Sequence, residues 1–199
     1  RPPSRGAARP LTAGCPGGAA QTHASTLGGA ATVCFGPPLP CPGFRSVQVP
    51  VLAARPRLTD LVGRQLNSAL VEASTFETAS PLITKLWQNV RWTQRDNMMG
   101  IPTDCPQRDE RLGWMGDIQV FAPTASFLYD VSGMLGSWLK DLAVEQLPAG
   151  TVPWYVPVIP AHHLWTPLRP GAVWGDAAVL PPWVLYERFG VADIPAEQY

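Results

Sequence analysis

The spacing of apolar residues changes along the chain, and the change predicts two kinds of structure. Residues 44–49 alternate apolar and polar side chains at period two, which is typical of a β-strand, and residues 64–70 fit a second short strand. From residue 80 onward the apolar spacing becomes three to four residues, which predicts helices. The sequence therefore predicts the end of a β domain followed by a helical domain.

The first helix has clear signals at both ends. Ser80 is a suitable N-cap and Pro81 suits the first helical position. The helix is expected to reach about Asn97, because Gly100 and Pro102 follow. An apolar stripe runs along it, formed by Leu82, Leu86 and Val90 with Ile83 and Trp87 beside them.

Two more helical regions follow. One begins near Asp117 and is ended by Pro148 and Gly150, with Gly133 as its weakest point. The last runs from about residue 176 to residue 190, and the adjacent prolines at 181 and 182 predict a kink or a later start. Helices joined by long loops suggest an all-α barrel or toroid, and three helices are too few to close one.

Residues 1–42 differ from the rest of the chain. They contain eight Pro, seven Gly and three Arg, no acidic residue and few aliphatic side chains. Such a segment buries too little apolar surface to offset its conformational entropy. The expectation is a disordered tail, or a stretch that is not homologous to the domain after it.

Composition excludes several classes of partner. Lys plus Arg and Asp plus Glu both number 15, so zero net charge gives no electrostatic reason to expect nucleic acid or a membrane surface. No apolar run is long enough to span a bilayer, and no signal peptide is recognisable, which slightly favours the cytoplasm. The four Cys lack metal-binding spacing, so neither a metal nor a cofactor is expected.

The densest chemistry lies in residues 104–117. This stretch holds four carboxylates, and two glycines and a proline interrupt regular structure there. One interpretation is a solvated loop with local Arg–carboxylate pairs. The other is a sugar site, because glycoside cleavage needs one protonated carboxyl as acid and one ionised carboxylate as base or nucleophile. Neighbouring carboxylates and an apolar wall keep such an acid protonated near neutral pH.

The same stretch resembles a known family. Residues 103–114 (TDCPQRDERLGW), followed by Gly116 and Asp117, are similar to the signature of glycoside hydrolase family 78, the α-L-rhamnosidases. Residues 89–97, 119–129, 143–146 and 174–178 resemble the same family, and residues 43–45 resemble the end of the β domain that precedes its catalytic domain. The resemblance covers about residues 43–199 and leaves out residues 1–42.

The resemblance implies a mainly α fold with three parts. Residues 1–42 are the tail, residues 43–78 are the end of a β-sandwich with a linker, and residues 79–199 are the N-terminal part of an (α/α)6 barrel. It also implies an inverting mechanism on terminal α-L-rhamnose residues of rhamnosides. Glu110 matches the general acid, and the sugar-binding positions match Asp104, Arg108, Trp114, Asp117, Trp174 and Asp176.

The general base of this family is a Glu much further along the chain. The later glutamates here are Glu145, Glu187 and Glu197, and none lies in a motif that resembles the base. The base is therefore expected outside these residues. The alternatives are a catalytically inactive fragment, a non-enzymatic helical sugar-binding or scaffold module, or a barrel hydrolase for another sugar. The sequence does not predict the oligomeric state.

Overall fold

The computed structural model describes residues 9–14, 22–25, 43, 46–48, 57–106, 110–159 and 171–198. The chain divides into two compact units. The first comprises Arg1–Gln65 and Pro106–Glu110, and the second comprises Leu66–Cys105 and Arg111–Tyr199.

A three-stranded antiparallel sheet belongs to the first unit. Its strands are β1 (Arg9–Gly14), β2 (Thr22–Ser25) and β3 (Ser46–Gln48), in the order β2-β1-β3. The strand predicted at residues 44–49 is confirmed for β3. The prediction that residues 1–42 are disordered is wrong for β1 and β2. Composition measures how much apolar surface a segment can bury, whereas strand pairing satisfies backbone groups whatever the side chains are.

Residues 66–78 belong with the helical unit, although the sequence placed the boundary at residue 78. The strand predicted at residues 64–70 is wrong, and β4 (Val71–Glu72) follows it and pairs with β7 (Tyr129–Asp130). Glu72 also forms ion pairs with Arg91 and Arg95 of the first helix. These long-range contacts attach the segment to the helices, and local sequence does not encode them.

Helix α1 (Pro81–Asn97) starts and ends where the sequence predicts. The short strands β5 (Met98–Met99) and β6 (Ile101–Pro102) form a tight hairpin immediately after it. The helix buries the face that carries Gln94, and Trp87 and Val90 pack against the core. The N-terminal part of the predicted apolar stripe is exposed instead, with Leu82 at 79%.

The second helical region consists of two helices, α2 (Met115–Leu128) and α3 (Ser132–Glu145). The predicted weak point at Gly133 is wrong, because the break lies at Tyr129–Asp130. There the backbone is extended to pair with β4, and Asp130 Oδ1 accepts hydrogen bonds from the backbone N–H and hydroxyl of Ser132. Strand pairing and a local carboxylate acceptor together outweigh helix propensity at this point.

The last helical region begins later than residue 176, which is one of the two outcomes predicted from the adjacent prolines. A 3-10 turn at Gly175–Ala178 precedes α4 (Leu180–Phe189), whose first turn carries the two prolines, and α5 (Asp193–Gln198) follows. The core lies among α2, α3 and α4, with Leu135, Trp138 and Leu185 fully buried. No helix in the described part of the chain is long and apolar enough to cross a bilayer.

The end of α4 provides a stability test with a matched control. Gly190 has a φ of +69°, a left-handed conformation that costs an alanine about 1 kcal/mol. Gly190→Ala should therefore lower the free energy of unfolding by about that amount. Gly133→Ala adds a methyl group to α3 with no atom within 4 Å, and should raise it by about 0.5–1 kcal/mol. Urea unfolding should give opposite signs for the two variants, and equal signs would contradict this explanation.

Candidate active site

The start of the carboxylate-rich loop is anchored to the end of α1. The backbone N–H and the hydroxyl of Thr103 both donate to the carbonyl of Asn97, at 2.8 and 2.9 Å. The next residue, Asp104, donates its N–H to the carbonyl of Leu112 at 3.1 Å, which closes the loop at its base. The buried thiol of Cys105 lies 3.0 Å from Asp104 Oδ1 and donates to it. The loop therefore has a fixed base, and Cys105 orients a carboxylate.

The far end of the loop is attached to residues 154–156. The N–H of Val156 donates to the carbonyl of Gly113 at 3.0 Å, and the N–H of Met115 donates to that of Trp154 at 2.9 Å. The indole N–H of Trp138, in the core of α3, donates to the carbonyl of Val156 at 3.1 Å. Residues 154–156 thus connect the N-terminus of α2 to the core at Trp138.

Three of the predicted sugar-binding residues line one cavity of about 500 Å³. Asp104 comes from the loop after β6, Asp117 from the first turn of α2, and Trp174 from the turn before α4. Much of the remaining wall is apolar, and it includes Met98, Pro102, Ile118 and Phe121. A cavity of this size, mainly apolar with a few convergent polar groups, is typical of a small-molecule site.

Trp114 occupies a different environment. It is 9% exposed and packs edge-on against Tyr155, with ring centroids 5.3 Å apart, in a small cluster with Leu112. Tyr155 is fully buried, and this burial raises the pKa of its phenol. Trp114 is therefore held in this cluster, and its predicted role in an apolar wall of the sugar site stays a prediction.

The remaining predicted residues are not among the described residues that line this cavity. Glu110 is half-buried and immediately precedes Arg111, whose φ is +52°. Asp176 is exposed, in the 3-10 turn after Trp174. Arg108 lies outside the described residues. The structure thus places Asp104, Asp117 and Trp174 on one cavity, and the roles of all seven predicted site residues stay predictions.

The sequence prediction missed the contribution of α1. Gln94 and Asn97 line the cavity beside Asp104, and Gln94 is 1% exposed. Their spacing of three residues places both on one face of the helix. Polar residues on the buried face of an otherwise amphipathic helix were the available signal, because such residues are uncommon in a core.

Comparison with known proteins defines the class. The profile of the bacterial α-L-rhamnosidase six-hairpin glycosidase domain matches residues 71–199. The chain belongs to this family. The prediction of a mainly α fold that forms part of an (α/α)6 barrel is thereby confirmed.

Particular relatives agree with this assignment. The chain is 39% identical over 180 residues to an α-L-rhamnosidase of Streptomyces avermitilis, which covers 90% of the chain and 17% of the relative. It is 36% identical over 159 residues to an α-L-rhamnosidase of an Alteromonas species, which covers 79% and 17%. The chain thus spans about one sixth of the length of these relatives.

Solved structures are similar over nearly the whole chain. The Streptomyces avermitilis α-L-rhamnosidase complexed with L-rhamnose matches with a TM-score of 0.90 and 34% identity, covering 98% of this chain and 20% of that one. The Aspergillus terreus α-L-rhamnosidase matches at 0.85 and 39%, covering 98% and 24%. These matches are longer than residues 43–199. The prediction that the resemblance leaves out residues 1–42 is therefore wrong.

Proposed function

We propose that this chain supplies the proton donor and part of the sugar site of an α-L-rhamnosidase, which hydrolyses terminal α-L-rhamnose residues from rhamnosides. The observation that carries the proposal is the convergence of Asp104, Asp117 and Trp174 on one cavity, from three separate segments. The similarity to a rhamnosidase that was solved with L-rhamnose bound supports this choice of sugar.

The cavity offers partners for both the hydroxyl groups and the apolar C–H groups of a deoxy sugar. Carboxylate oxygens of Asp104 and Asp117 accept hydrogen bonds from ring hydroxyls, and such charge-assisted bonds are stronger than neutral ones. The indole of Trp174, which is 36% exposed, offers an apolar face to ring C–H groups. By motif position Arg108, Trp114 and Asp176 complete the sugar-binding set.

Glu110 is the proposed general acid, on the strength of its place in the motif. Its carboxyl proton passes to the glycosidic oxygen as the bond to the anomeric carbon breaks, and a water attacks the opposite face of the sugar. An inverting enzyme keeps its acid and base about 6.5–9.5 Å apart to admit that water. We place the general base outside these 199 residues, so the chain alone should not turn over substrate.

A chimera tests the function directly. These 199 residues would replace the matching segment of the Streptomyces avermitilis relative, and aryl glycosides of several sugars would be assayed. The proposal predicts turnover of the α-L-rhamnoside and none by the isolated chain. A chimera that folds but prefers another glycoside would point to a different sugar hydrolase. Turnover by the isolated chain would show that the base is present in it.

Asp117 gives a sharper test of the cavity. Asp117→Asn keeps the size of the side chain but removes the charge that strengthens hydrogen bonds to the sugar. We expect kcat/KM of the chimera for an aryl rhamnoside to fall about 10- to 100-fold, equivalent to about 1.5–3 kcal/mol. Asp193→Asn, at the exposed start of α5, is the matched control and should leave kcat/KM unchanged. Equal values for the Asp117→Asn chimera and the parent chimera would remove Asp117 from the site.

A further inference from the structure

The indole of Trp174 lies directly against the first turn of α2. A Cβ atom placed on Gly116 would come within 3.1 Å of two indole atoms, Cε2 and Nε1. That separation is shorter than the usual contact between a side-chain carbon and a ring, so the indole occupies space that a side chain at this position would need. Gly116, Asp117 and Trp174 all line the cavity. The absence of a side chain at Gly116 therefore allows the indole to stand beside Asp117.

A second indole contacts Trp174, and a second glycine makes room for it. The ring centroids of Trp154 and Trp174 lie 6.2 Å apart with an angle of 43° between the planes, which is within the range of interacting aromatic pairs. A Cβ atom on Gly171 would lie 2.9 Å from Nε1 of Trp154. Each ring of this indole pair, Trp154 with Trp174, is thus packed against one glycine.

The backbone immediately before Trp174 indicates that such contacts, rather than local preference, place the ring. Val173 has a φ of +75°, and a left-handed conformation is rare for a branched side chain. A conformation of this kind persists only where the surrounding structure determines it. The contacts of the indole pair supply that constraint from outside the turn. Changing them should therefore move Trp174.

We propose that Gly116 and Gly171 are positioning residues, which hold Trp174 at the cavity through the indole pair and so fix its apolar face against the C–H groups of the bound sugar. This inference rests on the proposed function for the role of Trp174 and for the identity of the sugar, L-rhamnose. Both glycines act through the rings that they contact, and what each contributes is the lack of a Cβ atom.

Calorimetric titration of L-rhamnose into the 199-residue chain tests this positioning. Gly116→Ala and Gly171→Ala should each weaken binding about three- to tenfold, which is the size of one aromatic contact. Gly175→Ala is the matched control, because it adds the same methyl group next to Trp174 with no atom within 4 Å. This control should bind as the parent chain does. Circular dichroism in the peptide region establishes that each variant retains its helices.

The coupling between the two indoles gives a readout that does not depend on the sugar. Two rings this close produce an exciton signal in the circular dichroism spectrum, and Trp154→Phe identifies that signal by removing it. Gly116→Ala and Gly171→Ala should change the signal, because each displaces one ring of the pair, and Gly175→Ala should not. An unchanged signal in both would overturn the proposal. Since each glycine contacts a different ring, Gly171→Ala decides the matter even if Gly116→Ala fails to fold.

Trp174→Ala separates an effect through the ring from an effect on the fold. Without the indole, a methyl group at Gly116 has no ring to displace, so Gly116→Ala should cause no further loss of affinity in the Trp174→Ala chain. The same fold-loss in the parent and in the Trp174→Ala chain would overturn the proposal, because Gly116 would then act independently of Trp174.

The titration also keeps this inference distinct from the proposed function. If L-rhamnose binds and neither alanine variant weakens it, the positioning role is wrong and the rhamnosidase proposal stands. If the chain binds another monosaccharide in its place, and Gly116→Ala weakens that binding, the positioning role stands and the choice of sugar is wrong. If no monosaccharide binds, the positioning role is wrong, and turnover by the chimera still judges the proposed function.

Discussion

Glu110→Gln in the chimera should lower kcat/KM for an alkyl α-L-rhamnoside by about 10²- to 10⁴-fold, the usual contribution of general acid catalysis. Glutamine has nearly the same shape as glutamate but has no acidic proton to give to the leaving oxygen. Alkoxide leaving groups depend on that proton, because they are poor leaving groups without it. The affinity for L-rhamnose itself should change little, since the loss is confined to the transition state.

A control on another helix keeps this result specific. Glu187 lies in α4 and is exposed, so Glu187→Gln makes the same chemical change away from the proposed site. The chimera with Glu187→Gln should retain full activity. If Glu110→Gln left alkyl rhamnoside hydrolysis intact, the general acid would have to be another residue.

Gly113→Ala has the largest expected effect on stability. A methyl group at this position would overlap the carbonyl oxygen of Val156, which also accepts the indole N–H of Trp138. The clash is with backbone that is held on both sides, so it cannot be relieved by a rotamer change. We expect the free energy of unfolding to fall by about 3 kcal/mol or more, near the upper end for single substitutions.

Urea unfolding of the 199-residue chain measures this effect, with Gly133→Ala as the control that adds the same methyl group in open space. Sugar binding should fall along with stability, since the backbone bond from Val156 to Gly113 holds the end of the loop. A Gly113→Ala chain as stable as the parent would show that residues 154–156 are not the support of the loop.

Elements governed by local chemistry could be predicted from the sequence. Helix α1 was predicted at both ends, because a proline at its first position and a glycine after its last turn act within a few residues. The late start of α4 and its end at Gly190 followed from the same kind of signal. In each case the determinant and the element are neighbours in the chain.

Elements governed by distant pairing could not be predicted. The break between α2 and α3 depends on β4, more than fifty residues earlier in the chain. Strand β1 pairs with β2 and with β3, and both β1 and β2 lie in a segment whose composition alone indicates disorder. A local pattern carries no information about a partner strand, so these errors share one physical cause.

The residues of the candidate site show the same division between local signals, which the sequence carries, and distant contacts, which it does not. Of the residues that line the cavity, Asp104 and Asp117 could be named from the sequence because they lie in one dense motif, and Trp174 because residues 174–178 resemble the family. Their binding role stays a prediction. Gln94 and Asn97 were missed, since an amide in an amphipathic helix becomes informative only when its burial and its neighbours are known. Trp114 was placed in the sugar wall by analogy, and the structure packs it against Tyr155.

A leaving-group series tests most directly whether Glu110 donates the proton to the leaving group. kcat/KM would be measured for aryl α-L-rhamnosides whose phenols span a wide range of pKa, with the parent chimera and with Glu110→Gln. We predict a steep dependence on phenol pKa in the variant and a shallow one in the parent, so that the most acidic phenol loses least activity. The same fractional loss for every phenol would contradict the role assigned to Glu110.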